Sequence, residues 1–409
     1  MAKPKLALIP AAQGSKFYSV LPSSGVGDFN FSRSGSATRI NKDGLIETVG
    51  NGVSRLNYPM IDGVVSGCPT LLLEPSRRNR VPYSEQFDNA AWGKQAITVT
   101  ANAAISPDGS QTADKIIPSA ASTTHQLYDL SLISSQTCAT SIFAKADGIN
   151  TFDILDGSNA VNGASFNILN GTITNKGSGV GSMIYYGNGW YRCIVVSTTT
   201  GFRIYCPSSS GDATGDGTSG VLFWGAQIEA GSYPTSYIPT NGTTVTRSAE
   251  TANGSGDADT FNDSEGVLMA EIANSETTTG SYLGICNGGT NERLIIGNEG
   301  GFLRVYTDVN VDGSVQSANK DFNKIAVKYN SSNTSIYYNG FLIKSINQSA
   351  NLSGINELKF TSGGASQPFY GNTKQLQYFD SALIDSELET LTSWVSFSDM
   401  AQGQLYTIE

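Results

Sequence analysis

The sequence predicts an all-β protein: a β-rich N-terminal segment followed by two tandem β-sandwich (jelly-roll) domains. Three observations carry this. Only 15% of the 409 residues are charged, while aromatics reach 10% and glycines number 45. Short runs of β-branched and aromatic residues recur every roughly 8–15 residues between Gly, Asn, Asp and Ser turns, which is the spacing of sandwich strands. Long Leu/Ala/Glu/Lys stretches at helical period are nearly absent. The length allows about two to four domains.

Residues 1–82 offer short strand candidates at Lys5–Ile9, Phe29–Phe31, Ala37–Ile40, Leu45–Val49 and Thr70–Leu73. Asn41-Lys42-Asp43-Gly44 is a hairpin signal, with Asp-Gly supplying positive φ. So small a core predicts a segment that needs partners. It holds 10 Lys/Arg against 5 Asp/Glu, whereas the rest of the chain holds 15 against 30, within a net charge of −10. A basic end before acidic domains suggests a docking segment. The acidic bulk argues against nucleic-acid binding, which needs a basic footprint.

Residues 83–248 form the first sandwich, and its clearest element is Val221–Ile228. The run Val-Leu-Phe-Trp passes through Gly225 into Ala-Gln-Ile-Glu, then stops at a Gly-Ser-Tyr-Pro turn. That reads as a buried strand and its exit, with Trp224 in the core. The polar stretch 241–260 reads as a linker, with the boundary near Ala249. Residues 249–409 form the second sandwich. In SIYYNGFLIKS, Asn339-Gly340 makes a type I′ turn between two strands. The ending YFDSALIDSEL runs a strand into a short helix, with Asp385 as N-cap and Leu388 and Leu391 as its buried stripe.

The five cysteines, Cys68, Cys138, Cys193, Cys206 and Cys286, show no CxxC spacing. Cys193 and Cys206 lie in apolar runs, so they read as buried free thiols made in a reducing compartment. The start, MAKPKLALIP, has too short an apolar run for a signal peptide. No stretch approaches the ~20 apolar residues of a membrane helix, so no membrane insertion is expected.

Three phrases carry a family resemblance. WGAQIEAGSYPTSYIPT looks like the end of the carbohydrate-binding-module-like jelly rolls of bacteriophage tail fibres and tailspikes. FSRSGSATRINKDGLIE, followed by LLLEPSRRN and YSEQFDNAAW, resembles the N-terminal region of such proteins. The YNG hairpin and YFDSALIDSEL ending resemble a laminin-G/concanavalin-like lectin sandwich over most of residues 261–397. The resemblance implies a virion surface protein made in the host bacterial cytoplasm. It further implies docking to other virion proteins through residues 1–82, attachment to host cell-surface glycan, and homo-oligomerisation, with a trimer as the guess. Alternatives are a decoration protein with a purely structural role or a polysaccharide depolymerase.

The residues give no catalytic constellation, and no enzyme is expected. A Ser-His-Asp triad would have to use the one histidine, His125, and no GxSxG elbow is present. Metal sites built on several His or CxxC pairs are excluded by counting. A depolymerase β-helix would show a fixed repeat, and none is seen. No cofactor is expected beyond a structural calcium, which the resemblance implies. In GDATGDGTSG, Asp212 and Asp216 have the carboxylate chemistry calcium takes, though not EF-hand spacing. Sugar recognition needs aromatic faces beside planar polar groups. The candidates are Tyr185, Tyr186, Trp190, Tyr191 and Tyr205 in the first sandwich, and Tyr306, Tyr337 and Tyr338 in the second. Neighbours in a strand face opposite sides, so one of Tyr185/Tyr186 and one of Trp190/Tyr191 should point outward.

Overall fold

The computed structural model describes residues 2–208, 214–276, 279–307, 317–350, 352–364 and 366–394. Within them the chain is all-β apart from one helix, Asp385–Thr392. No helix among them is long and apolar enough to cross a membrane.

Two six-stranded antiparallel sheets make the first sandwich. One runs Gly93–Gln95, Gln126–Asp129, Phe202–Tyr205, Thr151–Asp156, Gly163–Asn167, Thr172–Lys176 in spatial order. The other runs Ile97–Ala104, Ala113–Pro118, Gly220–Ala230, Gln136–Asp147, Tyr191–Thr199, Val180–Tyr185. Phe87, Trp92, Phe152, Phe166 and Ile204 fill the space between them.

Gly220–Ala230 explains its own composition. Val221 and Phe223 point into the inter-sheet core. Leu222 and Trp224 point the other way, into a second cluster with Ile46, Phe143, Trp190 and Tyr237. A strand buried on both faces reads as a continuous apolar run rather than an alternation. Trp224 is core, 1% exposed, as its run predicts.

The second sandwich is centred on Gly266–Asn274 and Gly371–Phe379, neighbours in an eight-stranded sheet. Its other strands include Asn323–Tyr329, Thr334–Tyr338 and Phe341–Ile346. Asn339 and Gly340 both take positive φ, 48° and 92°, as a type I′ turn demands. A four-stranded sheet holding Ser281–Cys286 and Arg293–Glu299 contributes Leu283, Ile285, Leu294 and Ile296 to the core. The helix packs Leu388 against Val267, Met269 and Phe379, with Leu391 half-buried beside it. Its N-cap is Ile384 rather than Asp385. The Asp385 carboxylate instead accepts from Tyr337 Oη at 2.7 Å and Lys328 Nζ at 2.5 Å.

Residues 1–82, which read as a docking segment in need of partners or as a strand extension of the jelly roll, find their partners in the second sandwich. Leu6–Leu8 and Thr70–Leu73 both pair with Gly371–Phe379 of the second sandwich. Leu6, Leu8, Phe17, Phe29, Phe31, Leu71 and Leu73 belong to that sandwich's core. The expected linker differs: Val245–Arg247 pairs with Arg77–Asn79, and Thr251–Asn253 with Phe29–Ser32. Short strands with few apolar residues look like free segments until the partner strand, hundreds of residues away, is known.

These returning segments converge on a buried ion network. Arg55 Nε donates to Glu250 Oε1 at 2.8 Å, and its Nη2 also bonds that carboxylate. Arg33 Nη1 lies 2.8 Å from Glu250 Oε1, and Arg55 and Arg247 each lie 2.8 Å from Glu74 Oε2. Ser236 of the exit turn donates to Glu74 from both N and Oγ, at 2.8 and 2.6 Å. Burial would raise the Glu74 carboxyl, but Arg247 and Arg55 overcome it and hold it at about 2.

All five cysteines are free thiols, four of them buried and Cys68 exposed. Burial raises Cys193 well above the ordinary thiol value and Cys206 to about 12, so these two stay protonated.

Candidate functional site

The N-terminal segment does more than complete a sheet. Its hairpin Met60–Ile61/Val64–Val65 and its turn Lys42–Leu45 lean over the outer face of the first sandwich. Between them and the sandwich lies an open cleft of about 800 Å³. Its sandwich wall consists of Ile105–Pro107, Lys145 and the stretch Tyr186–Trp190.

That stretch reads Tyr-Gly-Asn-Gly-Trp. Gly187, Asn188 and Gly189 all take positive φ, at 81°, 51° and 80°. The turn is closed by Trp190 N donating to the Gly187 carbonyl and Tyr186 N donating to the Trp190 carbonyl. Three left-handed residues in succession bring the aromatics on either side close together and push the Asn188 amide out to solvent. Gly187 and Gly63 meet backbone to backbone: a Cβ on Gly187 would stand 2.4 Å from the Gly63 carbonyl oxygen. Gly187→Ala is therefore expected to destabilise by about 1–3 kcal/mol and to swing the hairpin away from the cleft. A thermal melt checks the first effect, and proteolysis at 60–65 the second.

Tyr186 is half-buried, its ring edge-on to Phe143 at 5.0 Å. Trp190 is 3% exposed and donates Nε1 to the Ile105 carbonyl at 3.2 Å, so it forms the floor rather than a free platform. Lys145 lays its stem over Gly189 and has no carboxylate partner among the described residues. Lys42 and Asp43 pair at 3.1 Å on the opposite rim. The cleft thus combines an accessible tyrosine face, an exposed amide, two ammonium groups and a carboxylate.

The remaining candidate aromatics do not join this site. Tyr185 and Tyr191 pack on each other at 4.8 Å. Tyr205, Tyr337 and Tyr338 are core, at 6%, 1% and 9% exposed. Tyr338 donates its hydroxyl to Asn323 at 2.6 Å. Tyr306 and Tyr282 both donate to Glu299 Oε2, at 3.1 and 2.8 Å. Alternation predicts which pairs split, as with Trp190 and Tyr191. It does not predict that both faces of a sheet are covered, so that an outward residue is also buried. Lys145 and Asn188 escaped the sequence reading; the Gly-Asn-Gly turn between aromatics was the available signal.

Asp212 lies outside the described residues. Asp216 serves its own turn: Oδ1 accepts from Thr218 N at 2.8 Å and Ser219 N at 2.6 Å, and Oδ2 from Ser219 Oγ at 2.7 Å. Those bonds from Ser219 and Thr218 hold its carboxyl below the usual range. Among the described residues, no group of three or more His, Cys, Asp or Glu is arranged to hold a metal. Both Asp216 oxygens are thus taken up by its own turn.

His125 is buried, with Nε2 3.1 Å from Ser119 Oγ. Its Nδ1 has no hydrogen-bond partner among the described residues, so the orienting carboxylate of a triad does not stand behind it.

No family model matches the chain, and no curated protein matches it. Solved structures overlap it in part. The carbohydrate-binding module of the Ruminococcus gnavus IT-sialidase, bound to α2,3-sialyllactose, shares 19% identity over 32% of this chain and 84% of its own, with a TM-score of 0.28. Domain 4 of AbnA, an extracellular arabinanase of Geobacillus stearothermophilus in complex with arabinotriose, shares 15% over 36% of this chain and 73% of its own, at 0.30. Trypanosoma rangeli sialidase shares 11% over 72% of this chain and 61% of its own, at 0.29. Likenesses this distant leave the function to the chain's own residues.

Proposed function

We propose that this chain is a non-enzymatic glycan-binding protein of a bacteriophage particle, carried on a fibre, tail or capsid appendage and contacting host surface polysaccharide. The observation that carries glycan binding is the cleft of about 800 Å³ between the N-terminal hairpin and the first sandwich. Its volume lies within the range of small-ligand sites. It sets the Tyr186 face beside the Asn188 amide, the Lys145 ammonium and the Asp43 carboxylate, so that C–H groups stack while hydroxyls bond polar groups. The phage setting is supported by the phrases FSRSGSATRINKDGLIE, LLLEPSRRN, YSEQFDNAAW and WGAQIEAGSYPTSYIPT.

A glycan array probed with the full chain tests this. Binding to bacterial surface polysaccharide is expected, with Tyr186→Ala weakening it at least tenfold and leaving the melting temperature within a few degrees. No binding to any polysaccharide would leave a structural decoration role. Release of reducing ends from a capsule would replace the lectin by a depolymerase.

A further inference from the structure

A second cavity, of about 540 Å³, lies at the seam where the two sandwiches meet. Arg77, Gly231 and Tyr233 line it from the first sandwich's exit, and Glu276, Gln367 and Tyr370 from the second. It shares no lining residue with the hairpin cleft.

Arg77 is the unusual member. The three arginines of the buried network are each engaged by several acceptors: Arg33 by Glu250 and the carbonyls of Gly35 and Gly50, Arg55 by Glu250, Glu74, Ser236 and the Thr38 carbonyl. Arg247 reaches Glu74, Thr235, Ser236 and the Pro75 carbonyl. Among the described residues the Arg77 guanidinium has one long hydrogen bond, 3.5 Å from Nη1 to the Ser76 carbonyl, and one loose ion pair, with Glu229. Its Nε stands 3.8 Å from Glu229 Oε2 and has no hydrogen-bond partner among the described residues. That carboxylate already accepts from Gln227, Thr235 N and Thr235 Oγ1. A guanidinium carries five donors in a fixed fork suited to a planar anion. Here most of the fork is unspent, and the side chain is 21% exposed.

The surroundings favour an anion joined to a ring. The Arg77 guanidinium lies 5.1 Å from the Tyr233 ring centroid, and Lys320 Nζ 5.4 Å from the same ring. Two cations thus stand at one tyrosine. The facing carboxylate, Glu276, accepts from Ser232 Oγ at 3.0 Å. Tyr233 and Tyr370 are both half-buried, each offering part of a ring. Burial holds the Tyr233 hydroxyl up at about 12, so it remains a donor.

We propose that the seam cavity is a second saccharide site, taking an acidic sugar unit whose anionic group is gripped by Arg77 while its ring lies against Tyr233 and Tyr370. The site exists only in the assembled chain, because each sandwich supplies one of the two tyrosines. It stands apart from the hairpin cleft, so either site can fail without the other.

Calorimetry on the full chain tests it with three probes: trigalacturonate, a sulfated chondroitin disaccharide, and maltotriose as the neutral control. At least one acidic probe is expected to bind tenfold or more tighter than maltotriose; which one does so separates carboxylate from sulfate. Arg77→Ala should weaken that binding at least tenfold, Tyr233→Ala comparably, and Arg77→Lys less, with each variant still folded by circular dichroism. Tyr186→Ala should leave it unchanged. Failure of both acidic probes to bind at millimolar concentration would overturn the proposal. So would binding that survives Arg77→Ala, or binding that Tyr186→Ala removes.

Discussion

Replacing Glu250 by glutamine is expected to lower the stability of the folded chain by about 3–5 kcal/mol, the usual cost of stranding a buried charge by removing its partner. Glu250 is fully buried, and so are the two guanidinium groups that bind it, Arg33 and Arg55. It also accepts the backbone N–H of Glu74 at 2.9 Å. The substitution keeps the size and one acceptor oxygen, so packing contributes little to the loss. What remains is Arg33 with only the carbonyls of Gly35 and Gly50, and Arg55 facing Glu74, which already serves Arg247. Urea unfolding at neutral pH measures the effect; a loss under 1 kcal/mol would show that water reaches the network and that the bonds are dispensable. The same network sets an acid limit. Glu74 is held at about 2, below the ordinary 4.5. A depressed carboxylate stabilises fully above its unfolded value, and that contribution drains away as pH falls from there toward the folded one. Melting temperature should therefore fall between pH 4.5 and 2, and fall less in a Glu74→Gln variant, which has already lost the charge.

This network also explains which parts of the sequence were legible. The strands of both sandwiches followed from alternation and turn chemistry, because those signals are local: Asn339-Gly340 makes its own hairpin wherever it is placed. The phrases that carry the family resemblance mean something different in space. FSRSGSATR supplies Arg33, LLLEPSRRN supplies Glu74 and Asn79, and SYPTSYIPT supplies Thr235, Ser236 and Tyr237. Asn79 Nδ2 donates to the carbonyls of Ala226 and Ile238, at 3.1 and 2.8 Å. Tyr237 donates its hydroxyl to Glu85 at 2.8 Å, and its ring packs on Trp224 at 4.6 Å. These motifs are therefore the junction where the N-terminal segment, the first sandwich's exit and the second sandwich's entry close on one another. Their residue types mark buried charge satisfaction, which one sequence cannot distinguish from a ligand site. The cleft was half legible for the same reason. Tyr186 and Trp190 lie on a readable strand and turn, but the opposite wall arrives from residues 42–65 through contacts that no local pattern encodes.

Removing residues 1–82 should unfold the second sandwich and leave the first largely intact. Along one edge of Gly371–Phe379, Leu6 pairs opposite Tyr378 and Leu71 opposite Thr373, so the deletion strips that edge over most of its length. It also takes Leu6, Leu8, Phe17, Phe29, Phe31, Leu71 and Leu73 out of the core, together with the partner of Thr251–Asn253. Losing a single buried Leu or Phe costs about 2–5 kcal/mol. Seven such losses exceed the roughly 5–15 kcal/mol that holds a domain together. A bared strand edge beside exposed apolar surface then invites edge-to-edge pairing with other copies. The first sandwich depends on the segment much less, since the deletion takes only Val81 from the buried residues of its inter-sheet core and Ile46 from those of the outer cluster. A chain beginning at residue 83 should therefore aggregate, and limited proteolysis should digest residues beyond about 260 while sparing a core that spans the first sandwich. A monodisperse 83–409 protein that melts with the full chain would show that residues 1–82 are an appendage, and that the pairing at Gly371–Phe379 adds little to the fold. The expected result makes the opposite point: the stretch that reads as a docking segment supplies three strands, Leu6–Leu8, Leu56–Asn57 and Thr70–Leu73, to the sheet of the domain at the far end of the sequence.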